Sequence, residues 1–140
     1  MKASVKWIEK LHLDGETETG HRIIMDSKPV DEKSEGPTPK ELLLQALAGC
    51  TMMDVVSILQ KQKKELKKFR VDIDGELAKE HPKVFTKINL KYIFSGDGLD
   101  EFSVRRAIDL SRDKYCGVSN MLDKTAEITY SIEINNNINN

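Results

Sequence analysis

A chain of 140 residues with 39% hydrophobic and 32% charged side chains fits one domain able to bury its own core. Its 22 basic and 23 acidic residues leave a net charge of -1, which removes any global pull toward nucleic acid or anionic lipid. Cys50 and Cys116 are the only cysteines, too few for a disulfide scaffold.

Val5, Trp7, Leu11 and Leu13 place apolar side chains on odd positions, and Ile23-Ile24-Met25 follows Gly20, so the first third reads as an antiparallel meander of two or three strands. Residues 27–36 carry Lys28-Pro29 and a run of charges without periodicity, the pattern of a connecting loop. Thr38-Pro39-Lys40-Glu41 then joins an N-cap hydroxyl, a first-turn proline and a glutamate able to reach back, which starts a long helix. Apolar residues fill 42–59 on nearly every side of that helix, so it is expected to pack on its own sheet and on a partner chain. Residues 60–65 are polar all round and are expected to project into water.

Phe69, Val71, Ile73 and Leu77 alternate, with Gly75 at the remaining inward position, and Val84, Thr86, Ile88, Leu90, Tyr92 and Phe94 alternate on even positions. They read as two strands joined at His81-Pro82. Leu99 before an Asp100 cap, with Val104 beyond it, reads as a hydrophobic staple, and Val104, Ala107, Ile108, Ser111 and Tyr115 mark the inward stripe of a second helix. Cys116-Gly117-Val118-Ser119 opens a short third helix, and Ile128, Tyr130, Ile132 and Ile134 alternate as a last strand. This order gives an α+β domain with a largely antiparallel sheet over residues 1–134, followed by an asparagine-rich polar tail over 135–140. Met1-Lys2-Ala3-Ser4-Val5-Lys6 leads into no apolar run, and the apolar stretch 42–59 is broken by Gln45 and Asp54, so a cytoplasmic protein without a membrane span is expected.

In a reducing compartment the two thiols are reactive or buried rather than crosslinked. Cys50 sits mid-helix beside Ala46, Ala48 and Gly49, where a substrate or another backbone has room to approach. A reactive thiolate there needs a cation or donor from elsewhere in the fold; the alternative is a small apolar core residue. Cys116 lies where one helix ends and another starts, so helix-terminal N–H groups favour its anion; the alternative is a cysteine that caps a turn. Asp54, one turn beyond Cys50, is the ionised residue in the middle of the helix and is expected to be structural, drawing a partner such as Arg22 or Lys40. His12, His21 and His81 have no metal-ligand spacing with one another or with the cysteines. The basic run over 61–68 lacks interleaved aromatics and reads as a solvated helix end.

Gly36-Pro37-Thr38-Pro39-Lys40-Glu41-Leu42 leading to Ala48-Gly49-Cys50, followed by Tyr115-Cys116-Gly117-Val118-Ser119-Asn120, resembles the paired signature of the OsmC/Ohr family, the osmotically inducible and organic hydroperoxide resistance proteins. The resemblance implies an OsmC-like fold with a long central helix, an intertwined homodimer and active sites at its interface. It also implies a thiol peroxidase: the residue matching Cys50 attacks an organic hydroperoxide, the one matching Cys116 closes a disulfide, and a dithiol or lipoyl-type reductant resets the pair. No metal or organic cofactor is implied. Leu47, Met53, Met121 and Leu122 are apolar neighbours suited to a greasy peroxide.

Members usually place glutamate directly after the helix-opening proline and pair it with an arginine beside the thiol. Here Lys40 follows Pro39, and Glu41 and Arg22 are the candidates for that pair. Glu41 falls on the opposite side of an ideal helix from Cys50, and the capping box accounts for it. Gly117 stands where members commonly have proline. These departures place the chain in a less characterised OsmC-like branch. The alternative there is a protein of the same fold that binds a small apolar ligand or senses redox state without peroxidase activity.

Overall fold

Apolar alternation at the front of the chain resolves into β1 (Ala3–Glu9), β2 (His12–Thr17) and β3 (Arg22–Met25), paired antiparallel in that order. The computed structural model describes residues 1–29 and 32–135; Val30 and Asp31, within the loop expected over 27–36, and residues 136–140 of the expected tail lie outside the described residues. Lys10 (φ 44°) and Gly20 (φ 83°) take left-handed conformations in the two turns of the meander. Every residue of β1 is exposed, and Trp7 keeps 70% of its surface open.

Buried Asp26 accepts the Glu35 N–H at 3.1 Å, while its own N–H donates to the Pro37 carbonyl at 3.2 Å, which fixes the approach to the helix. The capping box forms as the sequence requires. Glu41 Oε2 accepts the Thr38 main-chain N–H at 2.6 Å and hydroxyl at 2.8 Å, and the Glu41 N–H donates back to Thr38 Oγ1 at 3.3 Å. From there α1 (Pro39–Lys61) runs out of the first of two compact units, Met1–Leu43, into the second, Leu44–Asn140.

In the second unit β4 (Lys68–Leu77), β5 (Phe85–Ser95) and β6 (Glu127–Ile134) form a three-stranded sheet in that order. The fold is α+β: two three-stranded sheets and a central helix. β4 and β5 are antiparallel, but β6 lies parallel to β5. The parallel pair follows from a helical crossover, α2 (Glu101–Leu110), a wide turn over Ser111–Tyr115 and α3 (Gly117–Leu122), which carries the chain between β5 and β6. Leu47, Val55 and Leu59 of α1 share one apolar core with Ile88, Leu90, Tyr92 and Phe94 of β5 and with Val104, Ala107 and Ile108 of α2. Phe69 stacks on Phe94 with ring centroids 4.3 Å apart. By length and composition alone α1 is apolar enough to cross a membrane; here it supplies a wall of this core.

Two expectations are corrected and a third is sharpened. Even-numbered inward alternation holds from Ile88 to Phe94, but Val84 and Thr86 are exposed and Phe85 is buried. The ladder passes from Glu76↔Lys87 to Leu77↔Phe85, so Thr86 is an extra residue, and this bulge reverses which side chains face in. Gly75, one pair before the bulge, admits the Phe85 ring, since a Cβ there would stand 2.7 Å from it. Residues 60–65 are largely exposed, but the helix stops at Lys61 within them: Lys63 N–H bonds the Gln60 carbonyl at 2.9 Å and Lys64 N–H bonds the Leu59 carbonyl at 3.0 Å, with Lys63 left-handed at φ 57°. That is a Schellman stop, and Lys64 Nζ goes on to Asp100 at 2.7 Å. Tyr115 is exposed rather than inward because the wide turn adds a residue and rotates it off the α2 stripe.

Candidate active site

Cys50 is half-buried on α1, and Asp54 follows it one turn later on the same side. Cys116 reaches them through the local geometry after α2. Asp100 caps α2, accepting the Ser103 N–H at 2.8 Å, and the Lys64 ammonium and Ser103 hold its carboxyl well below the usual range. At Leu110 the helix widens into a π-turn, closed by the Cys116 N–H donating to the Ser111 carbonyl at 2.7 Å. Cys116 then leaves helical conformation (φ -75°, ψ 97°) and caps α3, its Sγ accepting the Ser119 N–H at 3.3 Å.

The two thiols and the carboxylate meet. Cys50 Sγ, Cys116 Sγ and a carboxylate oxygen of Asp54 all lie within 4.8 Å of one another. Ser111 Oγ donates to Asp54 Oδ2 at 2.8 Å and lies 3.1 Å from Thr51 Oγ1, which lies 2.9 Å from the Tyr92 hydroxyl. A buried row of hydroxyls therefore ends on the carboxylate beside the thiols, and each member is hydrogen-bonded as burial demands. Burial pushes the Tyr92 phenol up to about 12. Burial also pushes the Cys116 thiol up, and the neighbouring Cys50 thiol and Asp54 carboxylate add to this against the opposing Ser119 N–H. Cys116 is thus a protonated, enclosed thiol at neutral pH, while Cys50 is the more accessible of the two.

Asp54 also borders a cleft of about 290 Å³ lined by Ser57, Ile58, Leu110 and Tyr115, with Lys61 and Gln62 at its polar side. A Cβ built on Gly49, next to Cys50, would touch nothing within 4 Å. Of the apolar neighbours named from sequence, Leu47 is buried in the core, Leu122 is half-buried, and Met53 and Met121 are exposed.

Arg22 and Glu41 belong to the first unit. Arg22 forks onto buried Asp14, Nε donating to Oδ1 at 3.1 Å and Nη2 to Oδ2, which lowers the Asp14 pKa and raises that of Arg22. Glu41 is occupied by the capping box, and those bonds to Thr38 lower its pKa. Asp54, expected to draw a partner from another element, accepts the Ser111 hydroxyl. Ser111 and Thr51 were not singled out as site residues. The available signal was an acid on an apolar helix, which needs a donor, together with a serine on the inward stripe of α2.

A family model described as OsmC-like protein matches residues 31–131. The chain is 44% identical over 134 residues to protein YhfA of Escherichia coli strain K12, spanning 96% of this chain and 98% of YhfA. Its fold is similar to an OsmC-like protein from Mycoplasma pneumoniae, with a TM-score of 0.84, 16% identity and 96% of each chain covered. An organic hydroperoxide resistance protein OsmC from Legionella pneumophila superposes with a TM-score of 0.70 at 18% identity, covering 95% of this chain and 97% of that one. With a helix-borne cysteine facing a second cysteine at the start of a short helix, and a family match over most of its length, the chain belongs to the OsmC-like family.

Proposed function

We propose that this protein is a cysteine-based peroxidase that reduces organic hydroperoxides in the cytoplasm. The observation that supports the reading most directly is the close approach of the Cys50 and Cys116 sulfurs, within 4.8 Å, the accessible thiol beside the enclosed one. The Cys50 thiolate attacks the outer peroxide oxygen, the O–O bond breaks, and the leaving alkoxide takes a proton to depart as an alcohol, leaving Cys50 sulfenic acid. Cys116 sulfur then attacks the sulfenic sulfur, the S–O bond breaks, and the hydroxyl leaves as water with the Cys116 proton. The sulfur pair has lost two electrons to the peroxide, and a dithiol or lipoyl-type reductant returns them by thiol–disulfide exchange.

Closing an S–S bond of about 2.05 Å from the present separation calls for side-chain rotation and a small shift of the turn carrying Cys116. Open space at Gly49 and the apolar walls of the neighbouring cleft, Ile58, Leu110 and Tyr115, suit a hydrocarbon-bearing peroxide. The working unit is a homodimer. Arg22 and Glu41 are assigned no reacting atom, since each already has its partner in Asp14 or Thr38.

The test is stoichiometric cumene hydroperoxide added to reduced protein, with free thiols counted. Loss of both thiols, recovery with dithiothreitol, and no consumption by Cys50→Ser are expected. Consumption by Cys50→Ser at the wild-type rate overturns the reading, as does peroxide loss that leaves both thiols free.

A further inference from the structure

Two thiols and a carboxylate packed within 4.8 Å are an arrangement that electrostatics resists. Every proton that leaves adds a negative charge beside another, unless a cation arrives to offset them. The donor types are sulfur, sulfur and oxygen, the mixture that borderline-soft divalent ions prefer over hard ones.

From this cluster we propose that reduced protein binds one Zn²⁺-class transition-metal ion through Cys50 Sγ, Cys116 Sγ and an Asp54 carboxylate oxygen, leaving a fourth position open to water. In a tetrahedral site with bonds of about 2.3 Å to sulfur and about 2.0 Å to oxygen, the donors stand about 3.5–3.8 Å apart. The present separations need only a modest contraction. Binding exchanges two thiol protons for one dication, so Zn²⁺ enters and two H⁺ leave with no change of oxidation state.

The supporting contacts are already built. Ser111 Oγ holds the Asp54 carboxylate at 2.8 Å, and the Ser119 N–H points at Cys116 Sγ at 3.3 Å, where it favours the thiolate a metal requires. The cleft bordered by Asp54, Ser57 and Tyr115 gives access from solvent as far as Asp54. Oxidation of the pair to a disulfide removes both sulfur ligands at once. The site is therefore a redox-gated one, filled only in the dithiol state.

Co²⁺ is the probe, because thiolate ligation gives it a sulfur-to-metal charge-transfer band and tetrahedral geometry gives it intense visible bands. Reduced, metal-free protein titrated with Co²⁺ is expected to develop both at one ion per chain, and Zn²⁺ is expected to bleach them. Diamide-oxidised protein is expected to show neither. Asp54→Ala is expected to weaken Co²⁺ binding by at least about tenfold, and Ser111→Ala by about tenfold with the band retained. Cys116→Ser, a near-isosteric change, is expected to lose most of the charge-transfer intensity, with circular dichroism confirming that each variant is folded. Absence of the charge-transfer band in reduced wild type, or an unchanged Kd in folded Asp54→Ala, overturns the proposal. No peroxide is involved, so a negative result here leaves the peroxidase reading standing and a positive one does not depend on it.

Discussion

Ser111 holds both sides of the site from one turn: its carbonyl accepts the Cys116 N–H at 2.7 Å, and its side-chain oxygen donates to Asp54 at 2.8 Å. The carbonyl bond sets where the α2 helix lets go of Cys116, while the hydroxyl fixes the carboxylate across from it. Only the second depends on the side chain. Ser111→Ala therefore keeps the turn but strips a buried donor from Asp54 and a neighbour from Thr51, and is expected to destabilise the protein by about 1–3 kcal/mol. Urea unfolding measures this. A change of under a few tenths of a kcal/mol would mean that water replaces the hydroxyl and that the buried row contributes little.

Stability at alkaline pH tests the enclosed thiol. In the folded state burial raises the Cys116 pKa above its ordinary value of 9.0, whereas the unfolded chain releases that proton near 9.0. Above that point the folded state holds more protons than the unfolded one, so this contribution is complete below 9.0 and declines as pH rises through the folded value. Cys116→Ser has no proton to lose. The stability gap between wild type and Cys116→Ser is expected to shrink as pH climbs past 9.0, as read from urea midpoints across that range. Tyr92, pushed from 10.0 up to about 12, adds a second decline of the same sign at still higher pH, which Tyr92→Phe removes. A wild-type to Cys116→Ser gap that ignores pH would show the thiol to be ordinarily solvated.

Local chemistry was legible in the sequence wherever neighbouring residues fix it. Thr38 and Glu41 form the capping box that their spacing requires, and Asp100 caps α2 three residues before Ser103. The odd-position pattern of Phe69, Val71 and Ile73 and the even-position pattern from Ile88 to Phe94 mark the inward faces of β4 and β5. What escaped the sequence depends on pairing between distant segments. Thr86 becomes a bulge only because Glu76 and Leu77 hold the facing ladder, and nothing around Val84 or Phe85 announces the reversal. β6 alternates like an antiparallel strand, and only the crossover sets its direction. At the site, Cys50 and Cys116 stood out as the two cysteines and Ser111 keeps its inward stripe position, but the π-turn that follows it, one residue wider than helical periodicity assumes, sets where Tyr115 and Cys116 fall.

The stop of α1 offers a stabilising change. Lys63 sits at the left-handed position of the Schellman stop with φ 57° and an exposed side chain, where a Cβ crowds the backbone and glycine does not. Lys63→Gly is expected to stabilise the protein by about 0.5–1 kcal/mol, after the greater freedom of glycine in the unfolded chain offsets part of the relief. Thermal and urea unfolding both report it. Destabilisation would mean that the Lys63 side chain makes a contribution its exposure hides.

The apolar row on the first sheet tests the oligomeric state. Val5 and Trp7 share a face of β1, Leu11 and Ile23 are also exposed, and Trp7 leaves 70% of its surface open with its indole N–H held by the Lys10 carbonyl at 3.0 Å. An oriented tryptophan amid exposed aliphatic side chains is the composition of an interface centre rather than of a solvated sheet. Sedimentation equilibrium is expected to give twice the mass of one chain. Trp7→Arg is expected to remove about 2 kcal/mol or more of association, a weakening of Kd by roughly thirtyfold or more, without loss of the monomer fold by circular dichroism. Wild-type protein that sediments as a monomer at every concentration would rule out the homodimer. A Trp7→Arg variant that dimerises like wild type would move the interface off this sheet.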